Sequence, residues 1–144
     1  AMAAYYAGIA INQVNVGNVH AIAHQLGGKY GIPHGVANSL VLPHVLDLSR
    51  PQADKRLAEL ARKTGMGTQG ESGEVLAGDV IDAGRQLRAD LGLPEAASDL
   101  VVSDFPGLVS RAVEEGDDYP APVFFTETEV EAVLRKLLPV ANVD

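Results

Sequence analysis

Apolar residues in this chain return at helical spacing, and glycine or proline closes each run. Alternation of period two, the mark of a half-buried strand, is scarce. A chain punctuated in this way folds as helices joined by loops. Residues 3–14 (AAYYAGIAINQV) are Ala-rich and apolar on nearly every face, which predicts a buried helix. Residues 19–26 (VHAIAHQL) predict a second, stopped by Gly27-Gly28. Residues 34–42 predict a third, with Pro33 tolerable at its start and Pro43 expected to kink or end it. On this reading the first 46 residues are the most buried part of the chain, and they hold all four histidines.

Beyond Ser49 the pattern becomes amphipathic. Residues 52–64 place Leu57, Leu60 and Ala61 on one face, and residues 74–91 do the same with Val75, Leu76, Val80, Ile81 and Leu87. A helix from near Pro106 to Glu115 has Ser103 or Asp104 to cap it. The proline-rich run 117–125 should lie extended, and Thr126-Glu127-Thr128-Glu129 fits a capping box that opens a last helix reaching Leu138. Seven helices and no sheet predict an all-α bundle. Its 144 residues suit one domain, and 47% apolar residues give it a core.

Composition narrows function mainly by exclusion. A net charge of −8 opposes phosphate backbones, so nucleic acid is not an expected partner. The absence of cysteine excludes disulfides, thiolate metal sites and a cysteine nucleophile, and it suits a reducing compartment. No apolar run is long enough to span a membrane. A soluble, cytoplasmic protein is expected.

Chemistry gathers at His20, His24, His34 and His44, which lie within 25 residues. A lone histidine is often a hydrogen-bonded core residue, but four so close suggest a site. His20 and His24, four apart on a predicted helix, project from one face. His34 lies 14 residues beyond His20, about 21 Å away if the helix simply continued. Nitrogens that share a metal must each approach it to about 2.1 Å, so the chain would have to fold back. Gly27, Gly28, Gly31 and Pro33 supply the means. His44, after Pro43, reads as a packing or capping residue. The His20-Ala-Ile-Ala-His24 spacing matches a zinc protease helix, but Ala21 stands where the general-base glutamate is required. Neither a phosphate-binding loop nor a dinucleotide fingerprint is present.

The run from Gly17 to Gly35, GNVHAIAHQLGGKYGIPHG, resembles the histidine signature of iron-containing (group III) alcohol dehydrogenases, G-x-x-H-x-x-A-H-x-x-G followed by P-H-G. The likeness continues through Ala37 to His44 and resumes at Tyr119-Pro120-Ala121-Pro122 and the closing helix. It implies the C-terminal helical domain of a dehydroquinate synthase-like fold. It also implies His20 and His34 as ligands of Fe²⁺, with Zn²⁺ the alternative. His24 is implied as the histidine near nicotinamide and substrate, and His44 as a recurrent position that is not a ligand. The activity implied is NAD(P)-linked interconversion of small alcohols with aldehydes or ketones. Maleylacetate reductases and glycerol dehydrogenases share the broad fold, and Pro33-His34-Gly35 favours the alcohol dehydrogenase branch.

The family's other two ligands come from an earlier D-x-x-x-H element, and no Asp here precedes a His by four. The glycine-rich nucleotide-binding element is also missing. Residues 1–144 are therefore expected to be the helical half-domain, without the N-terminal nucleotide-binding domain, silent in catalysis alone and inclined to self-associate. The alternative is a stand-alone helical metal-binding or interaction module. Metal-storing bundles bring Glu inward beside His, whereas the nearest Glu here, Glu59, lies 15 residues past His44.

Overall fold

The computed structural model describes residues 2–68 and 70–139. The described residues are all-α and form six helices: α1 (Met2–Val14), α2 (Asn18–Tyr30), α3 (His34–Thr64), α4 (Gly73–Asp90), α5 (Phe105–Asp117) and α6 (Glu127–Lys136). One 3₁₀ turn, Val102–Asp104, leads into α5.

Six helices replace the expected seven because residues 34–64 form one helix through Pro43 and Pro51. Each proline removes an intrahelical bond at a cost of about 3 kcal/mol in an isolated helix. Packing offsets that cost here: the first half of α3 lies against α2 and its second half against α4. Pro43 is itself buried.

Helix α2 likewise runs past the expected stop at Gly27-Gly28. It ends at Gly31, whose left-handed φ of 67° lets its N–H return to the Gly27 carbonyl at 2.9 Å. Glycine content alone did not set the end; the one residue that needs positive φ did.

The core gathers Ile22, Leu26, Leu40, Val41, Leu100, Phe105, Leu108 and Val133 between α2, the first half of α3, α5 and α6. Two smaller apolar clusters tie α4 to the second half of α3, through Leu57, Ala77 and Ile81 and through Ala58, Ala61 and Leu76. Helix α5 is amphipathic in a regular way, burying Phe105, Leu108, Val109, Ala112 and Gly116. The capping box at α6 is present, with Glu129 accepting from the Thr126 backbone N–H at 2.8 Å.

The expectation that α1 is buried is corrected. It holds no buried residue, and Tyr5, Tyr6, Ile9, Ile11 and Val14 are between 45% and 63% exposed. Uniform apolarity marks a helix that needs cover, but no other described element of this chain supplies that cover. The core therefore begins at α2. No described helix is long and apolar enough to cross a membrane.

Candidate metal centre

The turn at Gly31 to Pro33 reverses the chain, and His34 opens α3 as its first residue. That reversal brings His34 back over the exposed face of α2. The His20 and His34 ring centroids lie 5.2 Å apart, His24 and His34 5.3 Å, and His20 and His24 5.6 Å. Three of the four sequence-selected histidines thus form one cluster. His44 stands elsewhere, ten residues along α3 from His34, half-buried near Lys136 of α6 and Arg85 of α4.

Electrostatics favour a neutral His20. Burial lowers its pKa, the nearby His34 and His24 rings lower it further, and Glu115 partly offsets them. A neutral imidazole is the form that binds metal. His34 is held by Asn38 one turn on, whose side-chain N–H₂ donates to His34 Nε2 at 3.0 Å and to the His34 carbonyl at 2.9 Å. The other end of that amide, Asn38 Oδ1, is buried without a partner.

His24 is tied to a different helix. Its Nδ1 lies 2.5 Å from Glu115 Oε1 on α5, and the same carboxylate accepts from Gln25 Nε2 at 2.8 Å and Tyr119 Oη at 2.8 Å. Arg111 Nε donates to Gln25 Oε1 at 3.1 Å. The hydrogen bond to Glu115 also raises the Tyr119 pKa, so the phenol stays a donor. Helix α5 passes close to α2 at Gly116, where a Cβ would stand 3.4 Å from Asn18 Oδ1 and 3.7 Å from Ala21 Cβ, so a methyl group fits and little more. The sequence assigned no site role to Glu115, Tyr119, Arg111 or Asn38, although Asn38 and Tyr119 lie in stretches that carry the family resemblance. Glu115 lies 91 residues from His24, and no local pattern links them.

A groove of about 550 Å³ opens beside the cluster, bounded by the start of α2, the first half of α3 and the 120–122 loop. His20 and Asn38 stand in its wall with Val16, Leu42 and Val45. Buried Asn18 pins that loop by donating to the Val123 carbonyl at 2.7 Å.

Two imidazoles bound at about 2.1 Å to a tetrahedral ion have ring centroids roughly 5 Å apart, which the His20–His34 pair satisfies. Among the described residues, no set of three or more His, Cys, Asp or Glu side chains has metal-holding geometry. Among the described residues, the spacing of His20 and His34 fits two ligands of one ion, and no third donor completes a set.

Comparison with known proteins agrees in fold and sequence. The profile described as "Fe-containing alcohol dehydrogenase family, C-terminal" matches residues 1–138. The chain is 39% identical over 138 residues to 1,3-propanediol dehydrogenase of Citrobacter freundii, covering 94% of this chain and 36% of that protein. It is 37% identical over 138 residues to alcohol dehydrogenase 4 of Saccharomyces cerevisiae, covering 93% and 35%. Its fold matches the solved alcohol dehydrogenase from Oenococcus oeni with a TM-score of 0.83 at 36% identity, over 91% of this chain and 35% of that one. The chain thus spans about a third of the length of the curated relatives it matches.

Proposed function

This chain belongs to the Fe-containing alcohol dehydrogenase family, as its C-terminal domain, and from that premise we propose that it supplies part of the metal centre of an NAD(P)-linked alcohol dehydrogenase. His20 and His34 are the two metal ligands, and His24 is the histidine that handles the proton. The convergence of these three rings to 5.2–5.6 Å is the observation that carries the reading.

Each residue has a defined task. The neutral imidazoles of His20 and His34 would hold an Fe²⁺ or Zn²⁺ ion, which at His34 would take either Nδ1 or the Nε2 lone pair that Asn38 occupies here, with its remaining ligands coming from outside residues 1–144. When bound, the metal supplies Lewis acidity toward an alcohol or carbonyl oxygen, and the nicotinamide supplies the hydride chemistry. His24, with Nδ1 committed to Glu115, takes the alcohol proton at Nε2 or returns it in the reverse direction. Its side chain is 40% exposed, so the proton can pass to solvent.

The partners follow from the same reading: a small alcohol, aldehyde or ketone, and an N-terminal nucleotide-binding domain such as the longer relatives have room for. Residues 1–144 act as a single helical half-domain. The cysteine-free composition supports action in the cytoplasm. With Fe²⁺, NAD(P) and a small alcohol, the chain alone should give no turnover above a His20→Ala control. Joined to a family nucleotide-binding half carrying the D-x-x-x-H element, it should turn over, and His20→Ala should remove more than ~100-fold of that activity. Turnover by the chain alone, or an active joined His20→Ala variant, contradicts the proposal.

A further inference from the structure

We propose that Glu115 is a positioning residue that fixes His24 as its Nδ1–H tautomer and leaves Nε2 as the proton-accepting nitrogen. The proposal rests on the reading of His24 given above and adds the group that sets which nitrogen works.

The tautomer follows from counting donors around one carboxylate. Gln25 is oriented from both ends: its Oε1 accepts from Arg111 Nε at 3.1 Å, so its Nε2 is the atom that donates to Glu115 Oε2 at 2.8 Å. That nitrogen also reaches the Ala21 carbonyl at 3.2 Å, as only a donor can. Tyr119 donates to Glu115 Oε1 at 2.8 Å. Glu115 accepts from both neighbours, and as an ionised carboxylate it can only accept, so its third contact, 2.5 Å to His24 Nδ1, requires that nitrogen to carry the hydrogen. In a neutral imidazole the other nitrogen is then bare. It lies on the far side of the ring from Glu115.

The arrangement is rigid because it bridges two helices. Glu115 belongs to α5, His24 and Gln25 to α2, and the two helices pass close together at Gly116, next to the carboxylate. Tyr119 and Arg111, from the end and middle of the α5 region, act through Glu115 and Gln25 and not on His24 directly. An imidazole without such a partner favours hydrogen on Nε2, which would block the nitrogen the reaction needs.

Proton–nitrogen correlation spectra of the histidine-labelled chain, recorded above the histidine titration range, test this. The unmodified chain should show His24 with hydrogen on Nδ1 and Nε2 bare. Glu115→Ala should exchange the two nitrogen signals, whereas Glu115→Gln, whose Oε1 can still accept, should preserve the native pattern. Tyr119→Phe should preserve it too, because it leaves the Nδ1 partner in place. A native His24 carrying hydrogen on Nε2, or a Glu115→Ala variant with the native pattern, overturns the proposal. The native spectrum decides even if Glu115→Ala does not fold. The readout needs no metal, nicotinamide or turnover, so its failure is distinguishable from a failure of His20 and His34 to bind metal.

Discussion

The rings of His20 and His34 lie 5.2 Å apart although 14 residues separate them, because the chain reverses at Gly31 and re-enters a helix at His34 itself. The reversal is a backbone feature before it is a chemical one.

Gly31 is therefore a sensitive position. Nothing lies within 4 Å of a Cβ placed there, so any penalty is conformational and comes from φ +67°. Gly31→Ala should destabilise the fold by about 1–2 kcal/mol, the cost of a left-handed residue, and Gly31→Asn by less. Urea denaturation of the two variants checks the order; an alanine variant as stable as the parent would contradict it.

Gly116 is sensitive for a different reason. A methyl group there makes ordinary contact with Asn18 and Ala21, so Gly116→Ala should be tolerated and gain from higher helix propensity. Gly116→Leu must push α5 from α2 and should cost about 1–3 kcal/mol. Thermal melts should rank alanine above leucine, and the leucine variant should also lose the His24–Glu115 contact in its ring-nitrogen spectrum.

Acid should weaken the fold through His44. Burial lowers its pKa below 6.5, Lys136, Arg85 and Arg88 lower it further, and Asp47 partly offsets them. The unfolded chain then binds the proton more readily than the folded one, so stability rises with pH. The loss begins as pH falls through the unfolded value and is complete below the folded one. Denaturation midpoints taken between about pH 8 and pH 5 should fall with acid, and His44→Gln should flatten the dependence. His20 is shifted in the same direction, so some dependence should remain. A midpoint that rises toward acid would contradict the account.

Much of this architecture was legible in the sequence. The i, i+4 pair at His20 and His24, the Gly and Pro residues before His34 and the Thr126–Glu129 box each act through neighbours in the chain, so local pattern was enough. Pro43 misled because propensity describes an isolated helix, while α3 is held on both halves by α2 and α4. Residues 3–14 misled because apolarity shows that a helix needs cover without showing what provides it. Glu115 was invisible for a third reason: its role exists only after α5 crosses α2.

The exposed α1 carries its own prediction. Six large apolar side chains without cover, Met2, Tyr5, Tyr6, Ile9, Ile11 and Val14, favour association, so the chain should form dimers or larger species in light scattering. Replacing Tyr6 and Ile9 with glutamate should shift it toward monomer. A native chain that stays monomeric across concentrations would contradict this.

The central claim is that His20 and His34 grip the same ion. Calorimetric titration of Zn²⁺ into the native chain, His20→Ala, His34→Ala and the double variant tests it most directly. Either single variant should weaken binding by about tenfold or more, and the double variant should be little worse than either, because one missing ligand already breaks a shared site. Native-like affinity in both single variants, or losses that simply add, would show that the two rings do not share a metal.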